Sequence, residues 1–126
     1  MPDSRSLKVL VVDDQQSMRG MARQCLKRIG IVQVSLAASG DAALELLRSQ
    51  RFDVVISDLN MPGMSGLDLA AATRAHPVLK SIPIFVATSA VYCDGLDRTH
   101  IDGVIQKPFS VTEMKSTLES VIGALV

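Results

Sequence analysis

A chain of 126 residues can build one full hydrophobic core but not a second beside it. With 48% apolar and 21% charged residues its composition is globular, and no apolar run approaches the ~20 residues that span a bilayer. Thirteen basic residues balance thirteen acidic ones, so the electrostatic footprint of a nucleic-acid binder is missing.

The polar start, Met1-Pro2-Asp3-Ser4-Arg5-Ser6, lacks the apolar stretch and cleavage site of a secretory signal. One domain over residues 1–126 is expected, cytoplasmic, with no membrane and no nucleic-acid partner. Residues 7–12 form the first strand-like apolar run. A helix is expected over residues 15–29, because Met18, Met21, Ala22, Cys25, Leu26 and Ile29 recur at steps of three and four, and Gly30 stops it. Cys25 on that stripe reads as core, and Arg23, Lys27 and Arg28 as a solvated face.

Residues 31–37 are the second apolar run, after which Ser39-Gly40 opens a helix through Leu47. The third run, residues 52–56, leads through a turn-rich loop to Ser65-Gly66-Leu67-Asp68, which resembles a capping box. The helix that follows must end ahead of Pro77. Residues 82–87 make the fourth run and residues 101–105 the fifth. Between them Tyr92-Cys93-Asp94-Gly95-Leu96 mixes turn formers with few apolar anchors, so any helix there is short or irregular and the stretch is expected to be mobile. The last helix opens with Ser110-Val111-Thr112-Glu113 and aligns Met114, Leu118, Val121, Ile122 and Leu125. This alternation argues for an α/β fold whose parallel sheet is covered on both faces.

In an open parallel sheet ligands bind beyond the carboxyl ends of the strands. The runs end there in Asp13-Asp14, Ser57-Asp58, Thr88-Ser89 and Lys107-Pro108. A single acid, Asp14 above all, would read as a helix cap. Three carboxylates on one edge are different, because each close pair repels by about 1 to 4 kcal/mol unless a cation or protons intervene. Oxygen ligands without partnered His or Cys favour Mg2+, or Mn2+, over zinc, and magnesium commonly shares its shell with a phosphate. Lys107 would neutralise phosphoryl oxygens, the hydroxyl of Thr88 or Ser89 would donate to another, and an aspartate can itself be the nucleophile. Pro108 restricts Lys107 to an extended backbone and admits a cis peptide bond, and a carbonyl from the loop over residues 58–66 would complete the cation's shell. There is no Walker loop, no G-x-G-x-x-G and no Cys-His metal spacing, and His76 and His100 read as surface residues.

Asp13-Asp14, Asp58 with Met61-Pro62 and Gly66, Thr88, and Lys107-Pro108-Phe109 together resemble the receiver domains of bacterial two-component response regulators, over essentially the whole chain. Phe85-Val86-Ala87-Thr88 with Tyr92 is similar to stand-alone, chemotaxis-type members, although Ser89 replaces their glycine. The resemblance implies a flavodoxin-like five-stranded sheet in the order 2-1-3-4-5. It implies Asp58 as phosphoacceptor, Asp14 and Asp58 as direct Mg2+ ligands, Asp13 as a ligand through water and Asn60 as donor of a backbone carbonyl. Thr88 and Lys107 match the family's phosphoryl-sensing hydroxyl and lysine. A sensor histidine kinase or histidine phosphotransfer protein would supply the phosphoryl group, and a downstream protein would read it. The chain departs from the family pattern at Val104, which stands where the switch aromatic is usual, and in the short stretch between Thr88 and Lys107. Two competing readings are weaker: a haloacid-dehalogenase-type hydrolase would carry an acid where Asn60 stands, and an unphosphorylated binding module would lack one of the site residues.

Overall fold

Successive side chains of a strand face opposite sides, so a sheet covered on both faces needs strands that are apolar throughout. The computed structural model, which describes residues 3–89 and 95–125, follows this pattern in its three central strands, while the edge strands keep polar positions such as Gln33, Ser35 and Gln106. Its elements run β1 (Lys8–Val12), α1 (Gln16–Ile29), β2 (Gln33–Ala37), α2 (Gly40–Ser49), β3 (Val54–Asp58), α3 (Gly66–Ala75), β4 (Ile84–Ser89), β5 (Gly103–Lys107) and α4 (Val111–Ile122). All four strand pairings are parallel, in the order β2-β1-β3-β4-β5. This is the expected flavodoxin-like topology, with its switch point between β1 and β3. Val9 and Val11 pack with α1 and α4, through Ala22, Cys25, Leu26, Met114 and Leu118. Leu10 and Val12 pack with α2 and α3, through Ala43, Leu44, Leu47, Leu69 and Ala70.

The helix signals act as local chemistry dictates. Ser39 caps α2 by accepting from the Ala42 N–H, and Ser65 and Asp68 close a reciprocal capping box on α3. Ser110 Oγ accepts from the Glu113 N–H at the start of α4. At the end of α1, Gly30 adopts φ 110°, and the N–H groups of Gly30 and Ile31 return to the Leu26 carbonyl. Ile31 is thereby drawn into the helix cap, and β2 begins two residues later than its apolar run. The helical stripes are narrower than their periodicity suggests: Met21 and Val121 are 48% and 39% exposed. Met21 instead rims a groove between α1 and α4 with Gln24, Arg28, Phe109 and Val111. Cys25 is a buried free thiol whose pKa burial pushes up, against a smaller opposing effect of Arg28, which makes it a poor nucleophile.

Among the described residues no helix lies between β4 and β5. Residues 95–102 form turns there, with Leu96 packed on the core and Asp97 Oδ1 accepting from both the N–H and the hydroxyl of Thr99. Ala90, Tyr92 and Cys93, to which the mobile-stretch expectation applied, lie outside the described residues.

The amino ends of β4 and β5 are joined by one side-chain network. Arg74, from α3, donates to the carbonyls of Lys80 and Ile82 and pairs with Asp102 at 2.6 Å. Asp102 Oδ2 also accepts from the Ile84 N–H at 2.7 Å, and the Asp102 N–H donates back to Ile84. Charge-assisted bonds of this kind contribute about 1.5 to 3 kcal/mol each when a partner is removed. Arg74→Ala is therefore expected to lower the unfolding free energy in urea by about that much; an unchanged midpoint would show the network to be dispensable.

Candidate functional site

The register of the sheet brings the acids together. Val12 of β1 pairs with Ser57 of β3, so the residues that follow, Asp13 and Asp58, stand side by side at the carboxyl edge. The Asp13 N–H continues the ladder to the Ala37 carbonyl of β2, and the Leu59 N–H continues it to Ala87 of β4. Asp13, Asp14 and Asp58 each present a carboxylate oxygen within 4.8 Å of the others, Asp13 buried, Asp58 half-buried and Asp14 exposed. Asp14 does not cap α1, because the N-cap position is Gln15 and the N–H of Gln15 is taken by Asp13 Oδ1 at 2.9 Å.

Lys107, the last residue of β5, reaches across β4. Its Nζ lies 2.8 Å from Asp58 Oδ1 and 3.3 Å from Asp13 Oδ2. The Lys107-Pro108 peptide bond is cis. The pKa directions of this pair follow from burial set against their mutual attraction. Burial raises the Asp58 pKa, and the hydrogen bond and charge of Lys107 only partly oppose it, with Asp13 adding to the rise. For Lys107 burial acts to lower the pKa, yet the bond to Asp58 and the charges of both aspartates prevail and hold it raised. One ammonium bonds two of the carboxylates, with Asp14 close beside them, so there are more acids than cations at this edge. The cluster thus retains net negative charge, and its donors are all oxygens, which suits a hard divalent cation.

The other expected residues lie around this centre. Thr88, 3% exposed, follows Ala87, the β4 partner of Asp58, and pairs with Gln106 of β5. Asn60 is exposed in the β3–α3 loop, two residues past Asp58. Val104 pairs with Val86 and packs partly buried on the α2–α3 side of the sheet. His76 Nδ1 accepts from the Val78 N–H just beyond α3, and His100 is exposed between β4 and β5, so neither belongs to the site.

Sequence reasoning passed over Arg19. Its Nη1 donates to the Asp13 carbonyl at 2.7 Å, so Asp13 is held at its N–H, its carbonyl and both carboxylate oxygens. The available signal was a cation in the first turns of a helix that has no acid there.

Residues 9–119 match the family model of the response regulator receiver domain. Chemotaxis protein CheY of Pseudomonas aeruginosa is 34% identical over 118 residues, covering 91% of this chain and 95% of that protein. The chemotaxis response regulator CheY4 of Vibrio cholerae superimposes with a TM-score of 0.78 at 33% identity, over 92% of this chain and 98% of the other. The response regulator TrrA of Thermotoga maritima, solved in complex with Mg(2+)-BeF, gives a TM-score of 0.81 at 30% identity, over 92% and 99% of the two chains. Fold, acidic edge and relatives agree: the chain belongs to the response regulator receiver family of CheY-like phosphoacceptor signalling proteins.

Proposed function

We propose that residues 1–126 act as a single-domain, cytoplasmic response regulator that accepts a phosphoryl group on Asp58 from a sensor histidine kinase or histidine phosphotransfer protein. Asp13, Asp14, Asp58 and the Asn60 carbonyl would hold Mg2+, with Mn2+ as a substitute, and a downstream protein would read the phosphorylated state. The observation that carries this reading is the Lys107 ammonium 2.8 Å from Asp58 inside a cluster of three carboxylates.

A carboxylate oxygen of Asp58 attacks phosphorus, the bond from phosphorus to the donor imidazole nitrogen breaks, and the electron pair leaves with that nitrogen. A divalent cation held by Asp13, Asp14, Asp58 and the Asn60 carbonyl would supply charge neutralisation for the incoming phosphoryl group. Lys107 exchanges its bond to the Asp58 carboxylate for a phosphoryl oxygen, and the Thr88 hydroxyl donates to another. Dephosphorylation reverses the state when water attacks phosphorus, releasing inorganic phosphate and restoring the carboxylate.

The test is to incubate wild type and Asp58→Asn with acetyl phosphate, with magnesium or with a chelator, and to record intact masses. One phosphoryl gain that needs both magnesium and Asp58 is expected. No gain by a wild-type protein of intact circular dichroism would instead favour an unphosphorylated binding module.

A further inference from the structure

We propose that Arg19 is a positioning residue of the cation site: its guanidinium holds the Asp13 carbonyl, and with it the β1–α1 turn, where Asp13 and Asp14 can meet Asp58. The inference rests on the cation site proposed above and assigns Arg19 a part in it.

Several observations converge on this role. Arg19 lies one turn inside α1, whose amino end carries partial positive charge, so the helix dipole does not favour a cation there. Helix stability does not explain its placement. The side chain is half-buried and runs back over the start of its own helix to a backbone oxygen, a 2.7 Å bond, instead of extending into water. The residue it holds is the most buried of the three acids. Gln15 provides no side-chain cap; the turn between β1 and α1 is held by the Gln15 N–H on Asp13 Oδ1 and the Asp13 N–H on the Ala37 carbonyl, and Arg19 adds the side-chain hold on the Asp13 carbonyl. Repulsion among three carboxylates acts to spread this turn, and Arg19 and Lys107 restrain it, one at the carbonyl and one at the carboxylate of Asp13.

A positioning role and a purely electrostatic one predict opposite signs. As a bare positive charge Arg19 would repel a divalent cation, and its removal would tighten binding. As a positioning residue it is needed for binding, and partners that orient metal ligands typically contribute 10- to 100-fold in affinity. Arg19→Met keeps the apolar stem and removes the donors, and Arg19→Lys keeps the charge and one donor group.

Mg2+ titrations followed by the amide resonances of the Asp13 to Gln15 turn give the affinity of the folded protein, and thermal melts without metal report the fold separately. Arg19→Met is expected to weaken Mg2+ about tenfold, with Arg19→Lys recovering most of the loss. Equal or tighter Mg2+ binding by Arg19→Met overturns the proposal, including the case in which only the melting temperature falls. If wild type itself shows no response to Mg2+, the cation site is wrong, and the assignment of Arg19 goes with it.

Discussion

Lys107→Ala is expected to slow phosphoryl uptake at Asp58 by about a hundredfold or more while tightening the binding of Mg2+. Both effects come from one distance, the 2.8 Å between Nζ and Asp58 Oδ1. Removing one preorganised donor from a developing oxyanion typically costs 10²- to 10³-fold in rate. In the resting protein, however, the same ammonium competes with any cation for Asp58 and Asp13. Its loss leaves a more negative, less satisfied cluster. Initial rates with acetyl phosphate and a magnesium titration on one preparation separate the two effects. Weaker Mg2+ binding in the variant would mean that Lys107 organises the carboxylates more than it neutralises them.

Gly66→Ala should damage fold and site together. A Cβ at residue 66 would lie 2.4 Å from the Asp58 carbonyl oxygen and 3.2 Å from the Leu59 Cα, backbone atoms that cannot rotate away. The Gly66 N–H also donates to the Leu59 carbonyl at 2.9 Å, so the start of α3 cannot simply withdraw. Overpacking of this kind costs about 1 to 3 kcal/mol, and a displacement near 1 Å at a reacting group costs on the order of 10²-fold in rate. Urea unfolding and phosphoryl uptake measure the two consequences. Gly20→Ala is the control: nothing lies within 4 Å of its Cβ position on α1, and a gain of about 0.5 to 1 kcal/mol is expected. If both variants behave alike, the close approach at Gly66 is not the cause.

Much of this was legible in the chain because a doubly covered parallel sheet writes its central strands as nearly unbroken apolar runs. All five runs nevertheless begin before their strands, and the last three also stop short of them. Phe52 is buried ahead of β3 and Pro83, without an N–H, precedes β4, whereas the polar residues Asp58, Ser89 and Lys107 remain within their strands. Burial and ladder hydrogen bonding are separate criteria, and sequence patterning reports the first. The site was readable because its acids and lysine fall at strand ends, and topology alone brings strand ends together. Arg19 and the Arg74–Asp102 pair were not readable, because where a long side chain folds back to a carbonyl, or meets an acid 28 residues away, leaves no periodic trace.

The aspartates at the two edges of the sheet also differ in what they do for folding. At the amino edge, Asp53 and Asp102 each accept a backbone N–H, from Lys8 at 2.8 Å and from Ile84 at 2.7 Å, and so hold the strands together. At the carboxyl edge, Asp13, Asp14 and Asp58 crowd together, and among the described residues a single ammonium, that of Lys107, pairs with two of them. Thermostability engineering scored on the metal-free protein would accordingly retain the first group and favour neutral replacements in the second. It would arrive at a sturdier protein unable to carry a signal, so any such effort should be scored with magnesium present and with phosphoryl uptake as a second criterion.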